Sequence, residues 1–182
     1  MIVLGLDPGL SGAYALVAED STIVAVDDLP VHQAQHGRNA VKRHELDLHS
    51  LKLVLRQHAI AHAFIERVTA RPGQGVTSMF RFGQASGCLY GLAVGLGLPV
   101  TFVTPQAWQK HHGVGPSPDA ARQRAVQLFP ASAQEFARRR NGNRADAVLI
   151  ASHGRSQLLQ ETVQQQRPHP VQGQLVDASI AS

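Results

Sequence analysis

Two short apolar runs in this chain end on an acid. Ile2-Val-Leu-Gly-Leu runs into Asp7, and Ala63-Phe-Ile runs into Glu66. Apolar runs of this length, bounded by turn residues, read as buried strands. Each acid therefore falls at a strand's carboxyl edge, where α/β sheets bind ligands. A third acid, Asp146, lies in Asn143-Arg-Ala-Asp-Ala-Val-Leu-Ile-Ala151, which reads as the start of a final helix. Carboxylates emerging side by side from strands about 4.8 Å apart repel each other unless a cation sits between them. Such an oxygen-only donor set suits Mg²⁺ or Mn²⁺. Each acid also has a plainer reading. Asp7 suits a turn held by local backbone hydrogen bonds. Glu66 suits the surface end of an edge strand. Asp146 suits the third position of a capping box with Asn143 as N-cap. A carboxylate in a first helical turn has its pKa lowered by the helix dipole, so Asp146 is expected to be ionised.

The elements that must position these acids follow from the pattern. Gly9 and Gly12 let the chain turn back directly after Asp7. The runs Ala13 to Ala18 and Thr22 to Leu29 then form an antiparallel meander with the first strand. Val31 to Arg43 is polar and reads as a loop. His44 to His58 reads as a helix, with Leu46, Leu51, Leu53, Val54 and Leu55 on its apolar side. The strand ending at Glu66 should then lie parallel to the first through a right-handed crossover. A long helix is predicted from about Ser78 to Gly97. Its Gly83, Gly87, Gly91 and Gly95 recur along one stripe and cost about 1 kcal/mol each in a helix interior. Close helix approach would offset that cost, on the protein's own sheet or across a dimer. Pro99 to Val103 is a fifth strand. Thr104 caps a short helix with Pro105 at its first position, anchored by Trp108. A further helix runs from Ser117-Pro-Asp119 through Phe129.

The 182 residues carry 17 Lys and Arg against 13 Asp and Glu, a net charge of +4, which favours an anionic partner such as nucleic acid. Arg67, Arg71 and Arg81 lie beside the proposed metal edge and are candidate phosphate contacts. Lys110 stands in the basic turn Gln109-Lys-His-His-Gly113. Arg139, Arg140 and Arg144 belong to the densest basic run. The single Cys88 excludes an intramolecular disulfide and a cysteine-built zinc site. It fits a reducing compartment. No run is long enough to span a membrane and no secretion signal opens the chain, so a cytoplasmic location is expected. Residues 1–157 are expected to form one domain, and 158–182 a polar, flexible tail.

The order of the three acids, with Gly-Leu-Asp7-Pro-Gly, Phe-Ile-Glu66 and Arg-Ala-Asp146-Ala, resembles the ribonuclease H-like nucleases. Within them it resembles the RuvC-type Holliday-junction resolvases. The segment Pro72-Gly-Gln-Gly-Val-Thr-Ser-Met-Phe80, together with Thr104-Pro-Gln-Ala-Trp108 and Leu128-Phe-Pro130, looks like their phage and prophage branch. The resemblance implies an α/β, ribonuclease H-like fold: a five-stranded mixed sheet in order 3-2-1-4-5, flanked by helices. It implies Asp7, Glu66 and Asp146 as catalytic metal ligands and four-way DNA junctions as substrate. It also implies a homodimer, here through the Gly83/Gly87/Gly91 helix. Two Mg²⁺ ions about 4 Å apart, with Mn²⁺ as a substitute, would serve paired phosphodiester hydrolysis with Asp7 bridging both.

There are two departures. Asn143 stands where relatives often place an acid or a histidine three residues before the last aspartate. It offers a carbonyl oxygen to the metal or to a water, or only a cap to the helix. Thr69 stands where some relatives place an aromatic wedge, so any wedge must come from elsewhere, for instance Phe80. Other readings are a nuclease acting on flaps or forks, or a junction-binding module with weakened catalysis. An actin-like ATPase or sugar kinase needs two such lobes, and this chain has one.

Overall fold

A computed structural model describes residues 1–34, 43–67, 69, 73 and 75–166. Its centre is a five-stranded sheet. The strands are β1 (Ile2–Asp7), β2 (Ala13–Ala18), β3 (Ile23–Asp28), β6 (Ile60–Glu66) and β7 (Val100–Val103). Their order is β3-β2-β1-β6-β7. The first three are antiparallel neighbours, whereas β6 runs parallel to β1, and β7 parallel to β6. This is the expected mixed sheet of a ribonuclease H-like fold. The numbering differs only because two short strands, β4 (Val31–Ala34) and β5 (Arg43–Leu46), intervene.

Those two strands correct the sequence reading of Val31 to Arg43 as a loop. They pair with each other, Val31 opposite Leu46 and Ala34 opposite Arg43, as a separate ribbon. Their residues are mostly exposed on both faces, so no apolar alternation marks them. The ribbon also displaces the first helix, α1, to Leu48–Leu55. Asp47 caps it, accepting hydrogen bonds from the Ser50 amide at 3.0 Å and the Ser50 hydroxyl at 2.6 Å.

The period of two along the strands sorts the core into two layers. Leu4, Leu6, Leu16, Ala63 and Ile65 face one way, onto α1 and the long helix α2 (Val76–Gly95). Val3, Ala13, Ala15, Val17 and Phe64 face the other, onto α3 (Pro105–His112), α4 (Ala120–Leu128) and α5 (Gly142–Gln165). Gly5, Asp7 and Glu66 share parity with Val3 and Phe64, so the acids belong to the α5 side. Helix α5 lies directly on β1. A Cβ at Gly5 would come within 2.2 Å of the Ala147 carbonyl oxygen and 2.6 Å of the Ala151 amide nitrogen. Ala145, Ala147 and Ala151, all fully buried, provide the small surface that this approach needs.

Helix α5 runs to Gln165, past the expected start of the tail at 158, and Leu158 packs against the core. Residues 167–182 lie outside the described residues. Among the described residues no helix is long and apolar enough to cross a membrane.

The contact at Gly5 yields a direct expectation. Gly5→Ala should destabilise the protein by about 3 kcal/mol through overpacking, measured by chemical denaturation. Gly115→Ala, where an added Cβ meets nothing within 4 Å, should change stability by less than about 0.5 kcal/mol.

Candidate active site

Asp7 is the last residue of β1 and Glu66 the last of β6. The parallel register pairs Leu6 with Ile65, which brings the next residue of each strand to the same sheet edge. Asp7 is only 9 % exposed. Gly12 closes the turn behind it, because a Cβ there would lie 2.1 Å from the Asp7 carbonyl oxygen. Asp146 arrives from above on α5. It stands just before Ala147, whose carbonyl rests on Gly5.

The charges of the three acids act on one another. Burial lifts the Asp7 carboxyl well above the usual carboxylate range, and the charges of Asp146 and then Glu66 lift it further. Burial, then the Glu66 charge, pushes Asp146 up to about 7. This reverses the expectation of a lowered pKa from the helix dipole. Desolvation and a like charge outweigh a partial dipole charge that fades within the first turn. Among the described residues, no three His, Cys, Asp or Glu side chains close onto one point as a finished cation cage. The donor set nevertheless fits a hard divalent ion. It is all oxygen, and its mutual repulsion is what a cation would relieve.

The start of α5 also differs from the capping-box reading. The helix begins at Gly142, with Asn141 as N-cap and no side-chain cap. Asn141 Nδ2 instead donates to the Glu135 carbonyl at 2.7 Å. Asp146 is thus the fifth helical residue and caps nothing. Asn143 is not the N-cap. Its Nδ2 donates to the Ser11 carbonyl and ties α5 to the turn after β1.

The basic candidates divide into different environments. Arg144 contacts Asp27 at 2.6 Å, Asp28 at 2.7 Å and Glu135 at 3.2 Å. Its guanidinium is committed inside the molecule, which corrects its assignment as a DNA contact. Arg67 is exposed beside Glu66, its guanidinium carbon 5.5 Å from the centre of the Phe102 ring. Arg81 is exposed and lines a cavity of about 250 Å³ with Leu10, Arg43, Leu46 and Phe80. Lys110, Arg139 and Arg140 are exposed, whereas Arg71 lies outside the described residues. The turn expected at Gln109 to Gly113 is the end of α3. His112 is buried there, and its Nε2–H donates to the Leu149 carbonyl at 2.8 Å. Burial lowers its pKa to about 4, so it adds no charge at neutral pH.

One neighbour of the acids was not assigned to the site from sequence. Trp108 Nε1 donates to Glu66 Oε1 at 2.9 Å. The sequence marks Trp108 as an anchor, but nothing in its spacing from Glu66 signals that contact.

Comparison with known proteins agrees with this architecture. A family model described as Crossover junction endodeoxyribonuclease RuvC matches residues 3–152. No curated protein matches the sequence. Among solved structures, Thermus thermophilus RuvC in complex with a Holliday junction substrate has a TM-score of 0.61 and 18 % identity, covering 87 % of this chain and 96 % of that one. The yeast mitochondrial Holliday junction resolvase has a TM-score of 0.54 and 16 % identity, covering 90 % and 83 %. The fowlpox virus resolvase has a TM-score of 0.53 and 14 % identity, covering 87 % and 99 %. At these identities the likeness is one of fold.

The raised acids predict an unusual pH dependence. A carboxyl whose folded pKa is about 7 binds more protons folded than unfolded, so stability falls as pH rises through that value. Burial lowers the pKa of His112 and His153 below the ordinary 6.5, so they act with the opposite sign, chiefly below pH 6.5. From pH 6.5 to 8 in a chelator, Asp146 alone should cost about 1 kcal/mol. Thermal melts should therefore drop by about 2–4 °C over that window. The drop should shrink in Asp146→Asn and flatten on adding Mg²⁺. A flat melt profile in chelator would contradict the electrostatic account.

Proposed function

The chain belongs to the RuvC family of crossover junction endodeoxyribonucleases, and we propose that it resolves four-way DNA junctions as a homodimer, with Asp7, Glu66 and Asp146 holding divalent Mg²⁺ ions. The observation that supports this reading is that acids from β1, β6 and α5 feel one another's charge, and that burial and that charge raise two of them. Binding a cation there exchanges protons for metal and removes the repulsion. A divalent ion in such a site supplies Lewis acidity for water activation and for the developing charge on the leaving oxygen.

The protein's own groups do the remaining work. Asp7, fixed in the central strand, sets the reference point of the site. Glu66 and Asp146 flank it from separate elements, so the donor set is rigid in backbone. Water adds to the scissile phosphorus and the bond to the 3′ oxygen breaks. The products are a 3′-hydroxyl and a 5′-phosphate. Arg67, next in sequence to Glu66, and Arg81 are proposed to hold backbone phosphates. Lys110, Arg139 and Arg140 are proposed to extend the contact along the junction arms. Manganese is expected to substitute for magnesium.

The dimer is supported by one face of α2. Val76, Phe80, Gly83, Gly87, Tyr90 and Val94 alternate steps of four and three residues, the spacing of a helix–helix seam. Val76 is 79 % exposed and Phe80 70 %. Nothing lies within 4 Å of a Cβ added at Gly83, Gly87 or Gly91. The glycine stripe therefore does not pack on the protein's own sheet; that role belongs to Ala85, Leu89 and Ala93. A second copy of the helix would cover the apolar seam and use the glycines for close approach. Two sites related by the dimer axis would then cut two opposed strands.

Wild-type protein with Mg²⁺ should cut a synthetic four-way junction into paired nicked duplexes. Asp7→Asn should cut at least about 100-fold more slowly while binding the junction without metal as the wild type does. Equal cutting by both would remove Asp7 from the chemistry. Gly87→Arg should sediment as a monomer and lose paired cutting. A wild type that sediments as a monomer at working concentration would contradict the dimer.

A further inference from the structure

We propose that Trp108 is a positioning residue that holds Glu66 in its metal-ligating orientation; this rests on the reading of Glu66 as a metal ligand. A glutamate at a strand end has several rotatable bonds, and its carboxylate is not aimed by the backbone alone. Here the aim comes from the indole. Trp108 is 2 % exposed, and its Nε1 donates to Glu66 Oε1 at 2.9 Å. An indole N–H is a donor only, so in a buried setting it requires an acceptor. A carboxylate oxygen accepts it as a charge-assisted bond.

The indole is itself packed in the core. Helix α3 starts under the Thr104 side chain, whose Oγ1 accepts from the Ala107 amide at 3.3 Å. It ends at Gly113 in the left-handed conformation, just after the His112 to Leu149 hydrogen bond that fastens α3 to α5. The same core layer that packs around Trp108 contains Val103, Phe136 and Leu149. Rigid packing of this kind lets a side chain orient a ligand it touches without contacting the metal itself. The bond holds one carboxylate oxygen of Glu66 and limits the orientations open to the group.

Trp108 is the only tryptophan in the chain, which permits a one-atom test. Growth of a tryptophan-requiring host on β-(3-benzothienyl)alanine replaces the indole N–H by sulfur at this position alone and keeps the ring's shape. Trp108→Phe is the genetic counterpart. If it fails to fold, the benzothienyl protein carries the test. Mg²⁺ and Mn²⁺ affinity is read by titration calorimetry without DNA, and half-saturating Mg²⁺ by junction cleavage. Both should weaken about 10-fold or more, with metal-free junction binding essentially unchanged. Cleavage at saturating Mg²⁺ should recover most of the wild-type rate. Unchanged metal affinity in a folded benzothienyl protein would overturn the role of Trp108 and leave the nuclease reading standing. A wild type that binds junctions yet neither binds Mg²⁺ nor cuts would overturn the metal-site reading and this role together.

Discussion

The contact that the rest of the structure depends on is between backbone and backbone, where α5 presses on β1 at Gly5. At that point there is no room for a side chain, since even a Cβ would sit 2.2 Å from the Ala147 carbonyl oxygen. The strand fixes Asp7 two residues further on. The helix fixes Asp146 one residue before Ala147. Two acids distant in sequence are thus positioned by a contact that involves neither of them. Gly154 repeats the device on the neighbouring strand, where an added Cβ would meet the Phe64 ring at 2.2 Å. Phe64 lies two residues before Glu66, so the second contact sets the third acid.

Bringing these acids together opposes folding. A carboxyl buried beside like charge is raised because its ionised form is disfavoured there. Polar ties around the site hold the elements in place against that repulsion. Asn143 bonds the first turn of α5 to the Ser11 carbonyl. Arg144 joins the same turn to Asp27 and Asp28 at the end of β3, and to Glu135. The basic residue closest in sequence to Asp146 on its N-terminal side is therefore a strut between α5 and the meander. The positive charge that remains at the surface comes from other residues, including Arg67, Arg81 and Arg139.

Much of this was legible in the sequence because strands carry a period of two and the acids end the strands. The bounds of β2 and the capping of α3 by Thr104 follow from local rules. The meander and the parallel direction of β6 follow from the same pattern, whereas the full sheet order was implied only by the resemblance. What was not legible depends on distant contacts. The ribbon of β4 and β5 lacks an apolar face, so its pairing has no pattern to announce it. Capping preference points to a start of α5 at Asn143, yet the helix begins at Gly142, where Asn141 and Asn143 make tertiary bonds instead. The pKa of Asp146 reversed direction because burial is a property of the fold, not of the first helical turn. Gly5 does carry a signal in the sequence: a glycine inside a strand marks close backbone approach. Trp108 gave no sign of its partner, since Glu66 is 42 residues away in the chain.

The central claim is that three acids from three elements hold divalent ions in common. The most direct measurement is anomalous diffraction from crystals soaked in Mn²⁺. The account predicts manganese density between β1, β6 and α5, with oxygens of Asp7, Glu66 and Asp146 all within ligand distance, about 2.0–2.3 Å. Manganese bound elsewhere, or bound at this edge with one of the three carboxylates turned away, would contradict it.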